Sequence, residues 1–246
     1  IGYRLIAILS RRRPVFTKGK SSAASDVYKR QEKSIFLYRC DDIEVDSIIR
    51  EMKTSKSSGP YSIPTGILKT FSGLLLYPIT LLVNKSLTDG VFPDFMKIAS
   101  ICPIYKKNDK SKCENYRPIS LLSNLSKIFE KVMYNRVIKF LDMHDSIYKF
   151  QFGFRKKYST NHALLSIVEN IRTNLDNKSY VCGVFVDLEK AFDTVNHNIL
   201  QAKLEHYGIR DNALSWFRSY LANCKQCSTA NGAMSSNLDI KCGVPQ

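Results

Sequence analysis

Val181, Cys182, Val184, Phe185 and Val186 make a short apolar, β-rich run of strand length that ends on an acid, Asp187. The surrounding stretch, Tyr180 to Val195, reads Tyr-Val-Cys-Gly-Val-Phe-Val-Asp-Leu-Glu-Lys-Ala-Phe-Asp-Thr-Val, and the rest of the chain is organised around it. The pattern predicts a buried strand that leaves its sheet at Asp187. Burying an unpaired carboxylate is costly, so Asp187 needs a counter-charge, and a metal ion is one obvious candidate. Phe192 and a second acid, Asp193, follow closely. A buried strand followed by a solvated turn is the plainer reading of the same residues.

Charge points to the class of partner. The 246 residues carry 37 Lys and Arg against 22 Asp and Glu, a formal net charge of +15. Such an excess speaks of association, not of fold. Nucleic acid is the first polyanion to consider, an anionic membrane surface the second, and a merely basic soluble protein the plain alternative. No stretch reaches the roughly 20 apolar residues of a membrane-spanning helix. The seven cysteines, an odd number without a secretory signal, argue for reduced thiols in an intracellular protein, nuclear or cytoplasmic. Cys224-Lys-Gln-Cys227 has metal-like spacing but lacks a second pair to complete a zinc site.

Residues 1–31 do not read as a domain. Arg11-Arg12-Arg13 follows the short apolar run Leu5–Leu9 instead of preceding it, which is not signal-peptide order. Ser21–Gln31 resembles a translated sequencing adapter, so this leader is read as foreign or disordered; a basic arm touching phosphates is the functional alternative. From Asp41 the spacing is helical, with Val45, Ile48, Ile49 and Met52 on one face and Asp41 or Asp42 placed to cap. After the loop Lys56–Pro64, Ile79, Leu82, Val83, Ser86 and Leu87 predict a helix that stops at Gly90.

Ile98–Tyr105 predicts a strand, followed by Lys106-Lys107-Asn108-Asp109-Lys110 and then Tyr116-Arg117-Pro118-Ile119-Ser120. A basic hairpin of this kind suits a triphosphate, since Lys supplies a mobile charge and Arg a bidentate fork; a solvated hairpin tip is the plain alternative. Ser123 is placed to cap a helix burying Leu125, Ile128, Phe129, Val132 and Phe140. Gln151-Phe152-Gly153-Phe154-Arg155-Lys156-Lys157-Tyr158 interleaves aromatics with cations, which suits base stacking and phosphate contact, though Phe152 and Phe154 could equally be core. The next helix places Leu164, Ile167, Val168, Ile171 and Leu175 on one face, with His162 read as a polar surface residue. Beyond the central stretch come a helix opened by Asn196, another from Asp211 carrying Trp216, and a strand Lys225–Ala230 turned at Asn231-Gly232. The chain closes on Gly243-Val244-Pro245-Gln246.

Five of these segments resemble, in order, motifs of reverse transcriptases from non-LTR retrotransposons. They are Lys56–Pro64; the strand ending at Lys106 with Tyr116–Ser120; Gln151–Thr160; Phe185-Val-Asp-Leu-Glu-Lys-Ala-Phe-Asp193; and Gly243-Val-Pro-Gln246. Tyr61 departs from the pattern, which usually has Asp there. The resemblance covers residues 42 to 246. It implies an α/β (α+β) fold, the fingers and partial palm of a right-hand polymerase, with an antiparallel sheet backed by helices, truncated before the second half of the palm and the thumb. The expected organisation is a leader over 1–31, a helical region over 32–90 and an incomplete reverse transcriptase domain over 91–246.

The resemblance also implies residue roles. Asp187 would be the catalytic carboxylate and, with the Leu188 carbonyl, a ligand of Mg²⁺ or Mn²⁺, two ions serving the complete enzyme. Lys106, Arg117, Phe192 and Gln246 would meet the incoming nucleotide, with Phe192 closing off space for a ribose 2′-hydroxyl. Arg155, Lys156 and Lys157 would contact nucleic acid. Asp193 would be a supporting acid or a structural cap. The implied partners are an RNA template, a DNA primer or RNA–DNA hybrid, and deoxynucleoside triphosphates, without a membrane. The paired acids that would share the metals occur nowhere in the sequence, so the chain itself is expected to be inactive. Two competing readings are a non-catalytic nucleic-acid-binding remnant and another palm polymerase such as a group II intron maturase.

Overall fold

Asp41 starts the first helix among the described residues, as its spacing predicts. Its carboxylate accepts the Glu44 N–H at 2.8 Å, and α1 (Asp42–Glu51) buries Val45, Ile48 and Ile49. The computed structural model describes residues 34–54, 59–60, 62–230 and 233–244. The expected leader, Tyr61, the turn Asn231-Gly232 and Gln246 lie outside the described residues.

A short helix α2 (Thr65–Thr70) leads into α3 (Ser72–Asp89). The spacing predicts α3 only from Ile79, yet it runs through Pro78. Gly90 ends it in the left-handed conformation, φ 64°. A Cβ there would lie 2.9 Å from the Asn212 carbonyl, so the close approach of the later helix that begins at Asp211 also calls for glycine.

β1 (Ile98–Tyr105) and β2 (Tyr116–Leu121) form the expected hairpin, with Tyr105 opposite Tyr116 and Ile104 opposite Arg117. Then come α4 (Asn124–Met143), capped by the Ser123 hydroxyl, α5 (Thr160–Asp176), α6 (His197–His206) and α7 (Asp211–Leu221). Strand β3 (Lys225–Ala230) carries two short partners, β4 (Ala233–Met234) and β5 (Leu238–Asp239). The strand order is β2-β1-β3-β4, with β5 also on β3. The mixed α/β class stands, but the expected antiparallel sheet is corrected in one pairing. β1 and β3 run parallel, with Ile98 opposite Lys225. Parallel neighbours need a long crossover, and α4 to α7 supply it.

The core is built on α4, whose Ile128, Phe129, Val132, Met133, Val137 and Leu141 are buried. Phe92 stands edge-on to Phe129, Trp216 and Tyr220, with centroids 6.1, 5.2 and 5.0 Å away. Trp216 Nε1 donates to Ser86 Oγ at 3.0 Å, and the Tyr220 hydroxyl donates to Glu130 Oε1 at 3.0 Å. Burial first, and the Glu130 charge second, push the Tyr220 pKa well up. α1 joins the same core through Arg136 of α4, whose guanidinium takes both Glu44 carboxylate oxygens at 2.9 and 3.0 Å.

Two apolar surfaces have no cover among the described residues. No residue of α5 is buried, although Leu164, Ile167, Val168, Ile171 and Leu175 share a face as predicted. The predicted strand Val181–Val186 is overturned: the segment forms no strand, and Val184, Phe185 and Val186 are 83, 88 and 78 % exposed. A central strand needs ladder partners on its edges and packing on its faces, and the described residues supply neither here.

Arg136→Met, which leaves Glu44 half-buried without its partner, should lower unfolding stability by about 3–5 kcal/mol in urea titrations. The double variant Arg136→Met with Glu44→Leu should regain most of that loss, because it removes both charges together.

Candidate nucleotide and nucleic-acid interface

The β1–β2 hairpin sets Lys106 and Arg117 on one face. Side chains directly opposite in a ladder share a face, as do residues two apart in a strand. Arg117 lies opposite Ile104, and the Lys106 N–H continues the ladder to the Asn115 carbonyl at 2.8 Å, so Lys106 and Arg117 project from the same face. Both are exposed. The tip is ordered by Asp109, whose carboxylate accepts the Ser111 N–H at 2.9 Å and its hydroxyl at 2.8 Å. Those bonds favour the ionised form and hold the Asp109 pKa below its ordinary value.

The loop before α5 turns through two left-handed residues, Phe154 at φ 64° and Lys157 at φ 68°. The Arg155 guanidinium lies over the Tyr158 ring, 4.2 Å from its centroid, while Lys156 and Lys157 are exposed. Ser159 then caps α5 in a reciprocal box, its N–H donating to His162 Nδ1 at 3.1 Å. His162, expected as a plain surface residue, thus has a local structural task.

Phe154 connects this loop to the central stretch: its ring meets Phe192 edge-on, centroids 6.1 Å apart. Phe192 is half-buried against the core. Its carbonyl accepts the Val244 N–H at 3.0 Å, and the Val195 carbonyl accepts the Gly243 N–H at 2.9 Å. His197 Nε2 donates to the Gly243 carbonyl at 2.7 Å. Gly243 has φ 84°, and a Cβ would sit 2.7 Å from the Asp193 carbonyl, so only glycine closes this seam. Three stretches far apart in sequence, Gln151–Tyr158, Ala191–His197 and Gly243–Val244, therefore meet at Phe192.

A model of the reverse transcriptase (RNA-dependent DNA polymerase) family matches residues 104–246. The chain belongs to the reverse transcriptase family. It is 32% identical over 204 residues to the RNA-directed DNA polymerase from mobile element jockey of Drosophila melanogaster, covering 82% of this chain and 22% of that protein. It is 30% identical over 210 residues to the probable RNA-directed DNA polymerase from transposon X-element of the same species, covering 82% and 22%. A Pol polyprotein from the type-1 retrotransposable element R1 of Bradysia coprophila is 30% identical over 211 residues, covering 83% of this chain and 20% of that protein. These relatives bear out the resemblance to non-LTR retrotransposon reverse transcriptases. The chain spans about a fifth of the length of the curated relatives it matches.

Within this reverse transcriptase chain the sequence-predicted residues fall into separate groups. Lys106 and Arg117 share the hairpin face, and Phe192 sits where three motifs meet. Asp187 and Leu188 lie apart from that contact, in the exposed stretch that forms no strand, and no hydrogen bond or ion pair holds the Asp187 carboxylate among the described residues. The expected burial of Asp187 is thereby corrected: solvent reaches the group. Asp193 is not the cap of α6; Asn196 is, its side chain accepting the N–H groups of Asn198 and Ile199 at 2.9 and 3.1 Å. Cys224 and Cys227 are buried in and beside β3, their thiols directed at the Tyr220 and Ala99 carbonyls at 3.2 and 3.6 Å. Burial pushes the Cys224 thiol up to about 11, the reverse of what a metal ligand needs.

Divalent ions for nucleotidyl transfer require several fixed oxygen donors, chiefly carboxylates. Among the described residues no three His, Cys, Asp or Glu side chains gather in one place as potential ligands. The carboxylate of Asp187 and the carbonyl of Leu188 do not by themselves fit a pair of ions, and no step is assigned through a metal here. The contact that sequence reasoning missed is the seam from His197 to Gly243, and no local pattern announces it, because its partners are 46 residues apart.

Gly243→Ala should open this seam at a stability cost of about 1–3 kcal/mol, because it adds a forbidden φ to a backbone clash. Hydrogen exchange should then speed at the Gly243 and Val244 amides while the α4 amides keep their protection.

Proposed function

We propose that residues 91–246 are the fingers and first part of the palm of an RNA-directed DNA polymerase that copies retrotransposon RNA into DNA, preceded by a helical region over 32–90 and a foreign or disordered leader over 1–31. The observation that carries this reading is the meeting of Phe154, Phe192 and Gly243–Val244, which gathers motif residues from three distant stretches around one ring. Family membership and the relatives' names support the reaction class. In this reading Lys106 and Arg117 take the phosphates and body of an incoming deoxynucleoside triphosphate, Gln246 touches the same nucleotide, and Phe192 lies under its sugar. Arg155, Lys156 and Lys157 hold the RNA template or the RNA–DNA hybrid grown from a DNA primer. Asp187 and the Leu188 carbonyl are this chain's contribution to a Mg²⁺ or Mn²⁺ site. The setting is intracellular, nuclear or cytoplasmic, in keeping with seven free thiols; no described helix is long and apolar enough to cross a membrane.

Residues 1–246 alone should give no primer extension on an RNA template with Mg²⁺, since they offer one carboxylate where the reaction needs several donors. A polypeptide extended with a paired-Asp turn and thumb should extend primers, and Asp187→Asn in it should abolish extension while leaving duplex binding within about twofold. Extension that survives Asp187→Asn would defeat the assignment.

Phe192→Val in the same extended protein should raise the kcat/KM for ribonucleotides relative to deoxyribonucleotides, because the shortened side chain admits a 2′-hydroxyl. An unchanged ratio would make Phe192 a core residue only.

A further inference from the structure

β1 and β2 leave the body of the molecule before they reach their turn. Pro103 stands opposite Pro118 in the ladder. The Lys106 N–H bonds the Asn115 carbonyl, which makes Tyr105–Tyr116 and, two residues back, Pro103–Pro118 non-hydrogen-bonded pairs. The nitrogen at such a position faces away from the partner strand, so Pro103 denies a donor to β3. Pairing of β1 with β3 accordingly ends at Ile101 with Ser228. Every residue from Cys102 to Glu114 is exposed. The outer hairpin is therefore a ribbon of two strands with no third strand among the described residues, and such a ribbon is marginal in water on its own.

Two tyrosines supply what the sheet does not. Tyr105 and Tyr116 face each other at a non-hydrogen-bonded pair, where side chains approach most closely, and their rings meet edge to face with centroids 5.7 Å apart. From there both hydroxyls reach into the turn: Tyr105 donates to the Asn108 carbonyl, and Tyr116 to the Lys110 carbonyl at 2.9 Å. Asn108 is left-handed at φ 69°, and Lys110 Nζ lies over the Tyr105 ring at 5.5 Å. Asn115 Nδ2 adds a bond to the Asp109 carbonyl at 2.7 Å. Successive residues of a strand point to opposite faces, so the tyrosines stand on one face of the ribbon and Lys106 and Arg117 on the other.

We infer that Tyr105 and Tyr116 are positioning residues for nucleotide capture: their hydroxyls hold the turn in one conformation, so that Lys106 and Arg117 stand in place before a triphosphate arrives. The inference rests on the polymerase reading above and adds to it two residues that touch no substrate. Fixing a backbone costs free energy at every residue ordered. On a loose ribbon that ordering would be drawn from the attraction between cation and phosphate; here the fold supplies it in advance. Affinity then falls only by the fraction of chains in which the turn is open. Both acceptor carbonyls belong to the turn and not to the ladder, so removing the hydroxyls frees the turn and leaves the strands paired.

The test removes the hydroxyls and keeps the rings. In the 246-residue chain, the double variant Tyr105→Phe with Tyr116→Phe should speed hydrogen exchange at the Ser111, Lys112 and Asn115 amides about two- to tenfold, the loss expected for ordinary hydrogen bonds. Those three amides bond within the turn. The ladder amides of Cys102 and Ile119 should keep their protection. In the polypeptide extended with a paired-Asp turn and thumb, the same variant should raise KM for a deoxynucleoside triphosphate about threefold and leave kcat within about twofold, because a bound nucleotide then holds the turn itself. A general loss of folded protein would lower kcat and leave KM alone, so the split separates positioning from stability. Unchanged exchange at the turn, or an unchanged KM where Lys106→Ala and Arg117→Ala each raise it, would overturn the brace and spare the polymerase reading. A KM indifferent to Lys106→Ala and Arg117→Ala as well would overturn the nucleotide assignment of the hairpin and the brace with it. An extended polypeptide that extends no primer would defeat the polymerase reading and the brace together.

Discussion

A guanidinium that no water reaches fixes how the helices of this chain are arranged. The Arg136 side chain is fully buried, and its Nε donates to the Tyr38 carbonyl at 2.9 Å while its terminal nitrogens take both oxygens of Glu44 and the Val132 carbonyl. The Tyr38 ring covers its face at 4.3 Å. A buried charge is tolerated only when its partners are complete, so α1 and the strip before it are held to α4 in one arrangement. α4 passes the constraint on. Two turns before Arg136, Glu130 accepts from Ser126 and from the Tyr220 hydroxyl, which ties α7 to the same helix. β3 follows α7 directly and pairs with β1, so the hairpin bearing Lys106 and Arg117 is positioned from the same support.

Two other segments lack such a support. α5 has a regular apolar face and a good cap, and Val181–Val186 has strong β-forming residues, yet neither is buried. Propensity and capping suffice to define a helix over Thr160–Asp176, because its hydrogen bonds are internal. They do not define a strand, whose hydrogen bonds all lie with another segment. The two exposed apolar surfaces are thus one effect: elements that need partners outside themselves remain bare where the described residues provide none.

The same distinction explains what could be read from the residues alone. Asp41, Ser123 and Asn196 each mark a helix start within a few residues of the helix they cap, and β1 and β2 of the hairpin are consecutive strands separated only by residues 106–115. These were legible because cause and effect are neighbours in sequence. Arg136 and Glu44 lie 92 residues apart, the parallel pairing of β1 with β3 crosses four helices, and the seam at Gly243 joins residues on either side of α6 and α7. Nothing local signals them. Val181–Val186 failed for the converse reason: its pattern states a requirement for burial, and a pattern cannot state whether the requirement is met. Motif resemblance marked the stretches that carry Phe154, Phe192 and Gly243, but nothing in it stated that they meet.

Binding and chemistry are accordingly separable in this chain. The groups proposed to meet a nucleotide's phosphates and sugar stand on ordered elements, Lys106 and Arg117 on a paired hairpin and Phe192 in a seam closed by Gly243 and His197. The carboxylate proposed for the metals stands on a stretch with neither ladder nor cover. Catalytic groups must be held to a fraction of an ångström, and what holds them is their supporting structure. A recognition surface tolerates more freedom, because charge and stacking act over a broad range of poses. The hairpin and the helices are held by contacts among α4, α7 and β3, whereas the described residues give the Asp187 segment neither ladder nor cover.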